Sequence, residues 1–345
     1  MSIAIDGASG WPAQHKQGWL PGDIDPGVLR HEVSVEEQRI LFELADRWRA
    51  TRRPITAMQR PDFSHPTIDA MLAERLAFLK TGPGLVVMAG LHTPERSLDD
   101  LRLVYWGIGL HFGTAVSQNR QGELLGEVRV RSDVVARRAY GHAGTIMLHT
   151  DRIDILSLCC ASKPISGGAN LFVSGLTIWD AVERERPDLF ARLARGFRQN
   201  RLGEHRQPGD ESTAYRVPVF AAENGLRSVL FSGNASLDHQ RRFFADELTA
   251  ADEEALTFLA EVRDRPSYAL RATLDIGEAV FLNNHELLHS RERFEDGEMP
   301  DRKRLLLRLW LQGAPVRPKP DVMTVMRNAS GLQGIDPRPA DLELA

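Results

Sequence analysis

The H-E-L-L-H run of residues 285–289 has the spacing of a zinc hydrolase site. On a helix, His285 and His289 would lie one turn apart and bind zinc, and Glu286 would act as a general base. The surrounding sequence does not favour a helix, because residues 275–278 form a turn signature and residues 279–282 an apolar run that suits a strand. No histidine follows His289 to complete a zinc ligand set. A zinc hydrolase stays open as the less favoured alternative.

A second pattern, His149-Thr150-Asp151, suits a different metal. On a strand, alternate residues point to the same face, so His149 and Asp151 would project together while Thr150 faces away. One further histidine would complete the two-histidine, one-carboxylate set of non-haem Fe(II) oxygenases, which leaves three metal positions open. His289 is the obvious candidate, because the chain between the two motifs contains the strands needed to bring them side by side.

The leucine-rich segment after residue 303 carries two arginines in a regular pattern. On a strand, Arg304 and Arg308 would share one face with Leu306 and Trp310, while the leucines at positions 305, 307, 309 and 311 would share the other. The first face would line an interior pocket, and the leucines would pack under covering helices. Buried arginines need anions, and the planar guanidinium matches a carboxylate with two parallel hydrogen bonds. The alternative is an edge strand with two solvated arginines.

The elements that must position these residues change along the chain. The first hundred residues are mostly helical by pattern, with a capping box at residues 34–37, further helices after Pro66 and near Ser97, and one strand at residues 85–88. After about Gly144 the pattern predicts short strands, interrupted by helices. These strands cover residues 145–149, 153–161, 169–174, 216–220, 226–231, 268–274, 278–282 and 305–311, and the helices cover residues 177–195 and the stretch after Thr249. This order favours one sheet-rich core decorated by helices.

Composition narrows the class of protein further. The 345 residues are 42% hydrophobic and 26% charged, as in an ordinary folded chain. The net charge of −4 comes without a basic cluster, so nucleic acid is not an expected partner. No apolar window reaches the length of a membrane span, and the N-terminus lacks a signal-peptide pattern. The only cysteines, Cys159 and Cys160, are adjacent and predict neither a disulfide scaffold nor a zinc finger. We expect a cytoplasmic protein, and a homo-oligomer is left open.

Several of these segments together resemble one known family. Residues 283–291, with Phe294, Asp296 and the R-L-L-L-R run at 304–308, resemble the C-terminal signature of TauD/TfdA-type Fe(II)/2-oxoglutarate-dependent dioxygenases. The H-T-D motif lies where that family has its H-x-D, and residues 166–170 resemble the Gly-Gly turn that follows it. Residues 113–126 are similar to a segment that precedes the H-x-D in many members.

The resemblance spans roughly residues 80–315 and implies a fold, whereas the domain division comes from the pattern along the chain. The fold class would be mixed α+β, with a double-stranded β-helix, or jelly-roll, core, a helical N-terminal region and helical insertions. We expect a single oxygenase domain over residues 34–315. An irregular N-terminal arm, residues 1–33, and an irregular C-terminal tail, residues 316–345, would flank it.

The resemblance also implies roles for residues. His149, Asp151 and His289 would bind Fe(II), and 2-oxoglutarate and O2 would be the co-substrates. Arg304 would hold the distal carboxylate of 2-oxoglutarate. Asn170 occupies the place where the family often has Thr or Ser on the same carboxylate.

The substrate side of the site is implied by fewer residues. Arg308 matches a position that grips an acidic group of the substrate in some members, and we add Gln118 and Tyr140 as candidates for substrate binding. The expected reaction oxidises, by default hydroxylates, a C–H bond of a small acid-bearing molecule while 2-oxoglutarate is decarboxylated to succinate. The alternatives are the zinc hydrolase and a jelly-roll binding protein without catalysis.

Overall fold

The computed structural model describes residues 17–130, 141–205 and 208–337. Within these ranges the helices are α1 (Pro26–Leu29), α2 (Val35–Ala50), α3 (Pro66–Thr81), α4 (Leu98–Phe112), α5 (Gly175–Glu185), α6 (Pro187–Arg195), α7 (Leu237–Phe244) and α8 (Ala250–Arg263). Helix α2 begins with the predicted capping box, since the Ser34 hydroxyl accepts the Glu37 N–H and the Glu37 carboxylate accepts the Ser34 N–H. Thr249 caps α8 in the same way, as predicted. No described helix is long and apolar enough to cross a membrane.

The strands of the described ranges form two main sheets. They are β1 (Arg30–Glu32), β2 (Leu85–Ala89), β3 (Gly113–Ala115), β4 (Leu125–Val128), β5 (Ile146–His149), β6 (Ile155–Ser162), β7 (Ser166–Gly167), β8 (Asn170–Ser174), β9 (Phe220–Glu223), β10 (Leu226–Val229), β11 (Leu270–Ala272), β12 (Ala279–Asn283), β13 (Leu287–Arg291), β14 (Phe294–Glu295) and β15 (Leu305–Gly313). The seven-stranded sheet has the order β1-β2-β12-β6-β15-β3, with β4 also on β15, and the four-stranded sheet the order β11-β8-β13-β5. The other strands form two two-stranded sheets, β9-β10 and β7-β14.

Successive side chains along a strand point to opposite faces of its sheet, so each main sheet contributes apolar side chains to an interior cluster and to a cluster under the covering helices. Leu306 and Trp310 of β15 belong to one interior cluster with Phe172 and Leu287 of the smaller sheet. The leucines at positions 307, 309 and 311 point the other way and pack against α2, α3 and α4. The predicted two faces of this strand are therefore confirmed, and so is the jelly-roll fold class with helical insertions.

Helices also cover the outer face of the smaller sheet. Val173 of β8 and Leu288 of β13 pack there against residues of α5, α6 and α8. The single helix predicted over residues 177–195 is wrong, because α5 ends at Glu185 and α6 begins at Pro187. Proline lacks an N–H and disfavours a helical backbone at the residue before it, and Arg186 has φ −143° and ψ 72°.

Two further differences concern short strands. The strand predicted over residues 216–220 is misplaced, since β9 begins at Phe220. Pro218 explains this shift, because it has no N–H to give to a ladder, and Val217 makes only an isolated bridge to Phe197. Strand β1 was not predicted, because three residues are too few to show a pattern; it pairs in parallel with β2.

Candidate metal centre

The smaller sheet brings the two metal motifs together. Strands β5 and β13 are antiparallel neighbours, and their register pairs His149 with His289. The two imidazole rings lie 4.2 Å apart between centroids. Asp151 follows β5 two residues later, and one ligand atom from each of the three side chains lies within 4.8 Å of the others. In the described part of the chain, this is the group of side chains that could hold a metal ion.

Two of these side chains are oriented by a neighbouring group. His149 Nδ1 lies 2.8 Å from the Met147 carbonyl oxygen. A carbonyl only accepts, so Nδ1 carries a proton and Nε2 is the ring nitrogen available to a metal. Trp310 Nε1 donates to Asp151 Oδ2 at 2.9 Å, and Asp151 Oδ1 then lies 3.8 Å from His149 Nε2. Such supporting hydrogen bonds orient metal ligands and tune their basicity.

The backbone around Asp151 is braced from the turn between β12 and β13. Asn284 Oδ1 accepts the Asp151 N–H at 3.1 Å. Asn284 Nδ2 donates to the Ile153 carbonyl at 2.9 Å and also to the Asp151 carbonyl. On the other side, the Thr150 hydroxyl accepts the Phe231 N–H at 2.9 Å. The short loop that carries the Asp151 carboxylate is therefore fixed from both sides by these hydrogen bonds.

The electrostatics of the cluster suit a divalent cation. Burial alone would raise the pKa of Asp151, but the electrostatic effects of His289, Arg308 and His149 outweigh it and hold that pKa below its usual range. Burial lowers the pKa of His289 to about 3, so this imidazole is neutral at physiological pH. His289 Nδ1 is buried without a hydrogen-bond partner among the described residues. Two imidazoles and one carboxylate are a donor set that fits Fe(II).

A cavity of about 330 Å³ opens beside the three side chains. Arg304, Leu306, Arg308 and Trp310 all line it, which confirms that this face of the segment is directed inward. Asn170 of β8 lines it as well. The metal cluster and both predicted arginines therefore share one pocket.

Arg304 lies at the end of the cavity where β7 and β14 meet. Its side chain is buried, its Nη1 has no hydrogen-bond partner among the described residues, and burial lowers its pKa to about 10. Its backbone N–H donates to Asp296 Oδ1 at 2.7 Å. The Gly-Gly turn makes room for it, because a Cβ on Gly168, which has φ +77°, would lie 3.3 Å from Arg304 Nε. Arg304 therefore presents a buried cationic group to an anion, next to a tight turn.

Arg308 is held by an amide. Its Nε donates to Gln118 Oε1, and Gln118 Nε2 donates to the carbonyls of Arg308, at 2.9 Å, and Leu124, at 3.1 Å. The Arg308 guanidinium also lies 5.6 Å from the centre of the Trp310 ring. Gln118 is fully buried and contacts Arg308, so its contact with a substrate stays a prediction. Tyr140 lies outside the described residues.

His285 and Glu286, at the start of the H-E-L-L-H run, contact other buried side chains instead of the metal cluster. Residues 284–286 form a turn between β12 and β13, so the helix that a zinc site requires is absent from this described segment. His285 Nε2 lies 3.3 Å from Asp154 Oδ1, and Glu286 Oε1 accepts from Arg317 Nη2 at 3.2 Å. All four side chains are buried. The zinc hydrolase alternative is therefore wrong, because only His289 of this run reaches the metal cluster.

Two supporting residues were missed by sequence reasoning. Trp310 was assigned to the pocket face, but its hydrogen bond to Asp151 depends on how β15 lies against the H-x-D loop. Asn284 is a single amide in a turn, and only its position one residue after a buried strand could have drawn attention to it. Both contacts join segments that are far apart in the chain.

Fold and site together define a class of protein. A jelly roll whose inner face carries two histidines and a carboxylate, beside a cavity with buried arginines, is the arrangement of a non-haem iron oxygenase that uses a 2-oxo acid. The family model of the taurine catabolism dioxygenase TauD, TfdA family matches residues 51–310. The chain belongs to this family and is an Fe(II)/2-oxoglutarate-dependent dioxygenase.

Individual proteins agree with this assignment. FR-33289 synthase of Streptomyces rubellomurinus is 27% identical over 316 residues, which cover 87% of this chain and 90% of that protein. The structure of asparagine oxygenase with Fe(II), 3-hydroxyasparagine and succinate has a TM-score of 0.62 at 16% identity, covering 90% of this chain and all of that one. The structure of the non-haem iron oxygenase OrfP with Fe and alpha-ketoglutaric acid has a TM-score of 0.60 at 16% identity. The match covers 82% of this chain and 93% of that one. The two structures show a shared fold.

Proposed function

We propose that this dioxygenase hydroxylates a C–H bond of a small anionic molecule, with His149, Asp151 and His289 as the iron ligands. The observation that carries the proposal is the single cavity into which these three side chains, Arg304 and Arg308 all face. Iron and 2-oxoglutarate supply the oxidising chemistry when bound, with O2 consumed and 2-oxoglutarate decarboxylated to succinate. The protein's residues bind, orient and shield the reactants.

The co-substrate end of the cavity is assigned to Arg304. A 2-oxo acid that chelates the metal through its keto and adjacent carboxylate oxygens extends its distal carboxylate away from the metal. Arg304 offers a buried guanidinium with an unpaired donor in the same cavity, and Asn170 adds an amide. A guanidinium matches a carboxylate in geometry and charge. Asn170 takes the place of the hydroxyl that the family often has.

The substrate end is assigned to Arg308. Its guanidinium is oriented by Gln118 and by the Trp310 ring, so Gln118 acts on the substrate through Arg308. Its positive charge favours a carboxylate, sulfonate or phosphate on the substrate. The asparagine oxygenase structure contains the hydroxylated amino acid 3-hydroxyasparagine, which supports hydroxylation as the outcome.

Apolar residues complete the active site. Leu158 and Leu306 line the cavity between the polar groups, and Trp310 presents its ring there while its indole N–H is used by Asp151. Such walls keep water from the reacting atoms and strengthen the electrostatic interactions that orient the reactants. We assign the catalytic unit to one jelly-roll domain over residues 34–315, and the family match over residues 51–310 supports this division.

The test is a screen of small acids for substrate-stimulated succinate release with Fe(II) and 2-oxoglutarate. Each acid is paired with its neutral amide or ester as a matched control. We expect at least one acid to stimulate release and to gain one oxygen by mass spectrometry, while its neutral partner does not. Stimulation by neutral compounds only would contradict the anionic substrate. Absence of succinate from every reaction, with iron bound, would contradict the proposed reaction.

A further inference from the structure

Arg291 is a second buried arginine at the co-substrate end of the cavity. It lies on β13 two residues after His289, so strand alternation directs both side chains to the inner face. The register pairs Arg291 with Asn170 on β8. Arg291 is 4% exposed and lines the same cavity as Arg304. Arg291 is not one of the three side chains of the metal cluster.

The hydrogen bonds of Arg291 are satisfied on one side only. Its Nη2 donates to the carbonyls of His142, at 2.6 Å, and Gly144. Its Nε and Nη1 are buried and have no hydrogen-bond partner among the described residues, and Arg304 Nη1 is in the same state. A buried charged donor without an acceptor is costly, and the simplest remedy is an anionic ligand. The two carbonyls fix one side of the guanidinium and leave Nε and Nη1 as donors for that ligand.

The guanidinium groups of both arginines lie close to the same aromatic ring. The guanidinium of Arg291 lies 4.7 Å from the centre of the Phe294 ring and that of Arg304 lies 5.2 Å from it. Asp296 acts electrostatically on both arginines and accepts the Arg304 backbone N–H. Two positive charges and one negative charge leave an excess of one positive charge. A single carboxylate bound between the two arginines would balance it.

We infer that Arg291 and Arg304 together bind the distal carboxylate of 2-oxoglutarate, with both guanidinium groups packed against the Phe294 ring. This inference rests on the proposed function, because it concerns the same co-substrate. It adds a second guanidinium to the one that the sequence pattern assigns. Arg291 also ties the bound carboxylate to residues 142–144, which lead into the strand that carries His149.

The experiment compares two 2-oxo acids by calorimetry with Fe(II) under anaerobic conditions, where no turnover occurs. 2-Oxopentanoate has a methyl group in place of the distal carboxylate of 2-oxoglutarate. We expect Arg291→Gln to weaken 2-oxoglutarate binding roughly ten- to a hundredfold, as for the loss of one charge-assisted contact, and to leave 2-oxopentanoate binding unchanged. Arg304→Gln should do the same. Arg271→Gln is the matched control, since Arg271 is exposed and paired with Glu292.

Three results would overturn the inference. Unchanged 2-oxoglutarate binding in Arg291→Gln would show that the side chain does not reach the carboxylate. Equal weakening of both 2-oxo acids would show that Arg291 only supports the fold. Arg291→Lys keeps the charge and should retain part of the preference for 2-oxoglutarate; loss of the preference in a folded Lys variant would also contradict a direct contact. If the wild type itself bound both acids equally, the role of Arg304 in the proposed function would fail as well.

Discussion

The two ends of the cavity treat their polar groups in opposite ways. At the metal end, His149 and Asp151 each give one polar atom to a neighbour, a backbone carbonyl and Trp310 respectively, and keep the other for a shared centre. At the arginine end, Arg291 and Arg304 keep buried donors without partners among the described residues. At the metal end, neighbouring groups orient the side chains around one shared centre, whereas at the arginine end the buried donors are available to an anion.

This difference corresponds to how long each ligand stays. A resident metal is best held by ligands that are already oriented, because no reorganisation is then needed when it binds. A co-substrate that is consumed and leaves as succinate in every cycle needs a charged site that stays in place without it. The rigid strands and the Gly167-Gly168 turn keep the arginine end in place. Substitutions at the two ends should therefore affect different ligands.

The largest effect is expected from the metal end. Asp151→Ala or His149→Ala removes a ligand and should abolish succinate release, with Fe(II) affinity lowered and the fold retained. The exposed Asp275→Ala is a control that should release succinate at the wild-type rate. Turnover by Asp151→Ala, with the variant shown to be folded by circular dichroism, would break the distinction between the two ends.

The arginine end should respond through the co-substrate. Arg304→Ala should raise the KM for 2-oxoglutarate roughly ten- to a hundredfold, because a charge-assisted hydrogen bond of about 1.5–3 kcal/mol is lost. Its Fe(II) affinity, measured without 2-oxoglutarate, should stay close to the wild-type value. A normal KM for 2-oxoglutarate, or a loss of iron binding of the same size, would show that the two ends are not separate.

A third prediction concerns the substrate arginine. Arg308→Ala should raise the KM for an anionic substrate by roughly ten- to a hundredfold and leave the KM for 2-oxoglutarate much less affected. Gln118→Leu keeps the arginine but removes its amide partner, so the effect should be in the same direction and smaller. Steady-state kinetics with each reactant varied in turn measures both. An effect of Arg308→Ala on 2-oxoglutarate alone would reassign this residue to the co-substrate.

A smaller effect at the metal end should come from Trp310→Phe. The substitution keeps an aromatic ring in the interior cluster but removes the N–H that Asp151 accepts. Loss of such a supporting hydrogen bond lowers metal affinity by about tenfold or somewhat more. Competition with a chelator measures the affinity for Fe(II), with the circular dichroism spectrum as the control that the variant is folded. Unaltered iron affinity would mean that Trp310 only packs.

The pH dependence of stability should reveal the buried pair behind the metal end. Burial lowers the pKa of His285 to about 4, whereas an unfolded histidine titrates near 6.5. The unfolded state therefore binds the proton first, and stability present above pH 6.5 is lost as the pH falls towards 4, by at most about 3 kcal/mol. In a plot of melting temperature against pH, His285→Gln should make the fall between pH 6.5 and 4 less steep. Parallel curves for the two proteins would show that His285 does not contribute.

Local patterns predicted much of this molecule. The three side chains proposed as metal ligands, which the fold brings together, and the two faces of β15 follow from motif spacing and from the period of two along a strand, both of which are visible in the sequence. The capping boxes of α2 and α8 are equally local. The break between α5 and α6 could have been found from Pro187 alone.

Contacts between distant segments could not be predicted in the same way. The bond from Trp310 to Asp151 depends on the register of β15, and the carbonyl partners of Arg291 depend on the path of residues 142–144. The burial of His285 and Glu286 depends on Asp154 and on a tail that was predicted to be irregular. A short motif states which residues are present, whereas the fold decides which of them face the metal.

The most direct test of the account is an anaerobic calorimetric titration of Fe(II) into three proteins. The wild type and Glu286→Gln should each bind one iron per chain with similar affinity, because Glu286 contacts Arg317 and not the metal cluster. His289→Ala should lose this binding while its circular dichroism spectrum remains that of a folded protein. Iron binding that survives in His289→Ala, or that disappears in a folded Glu286→Gln, would contradict the assignment of His149, Asp151 and His289 as the metal site.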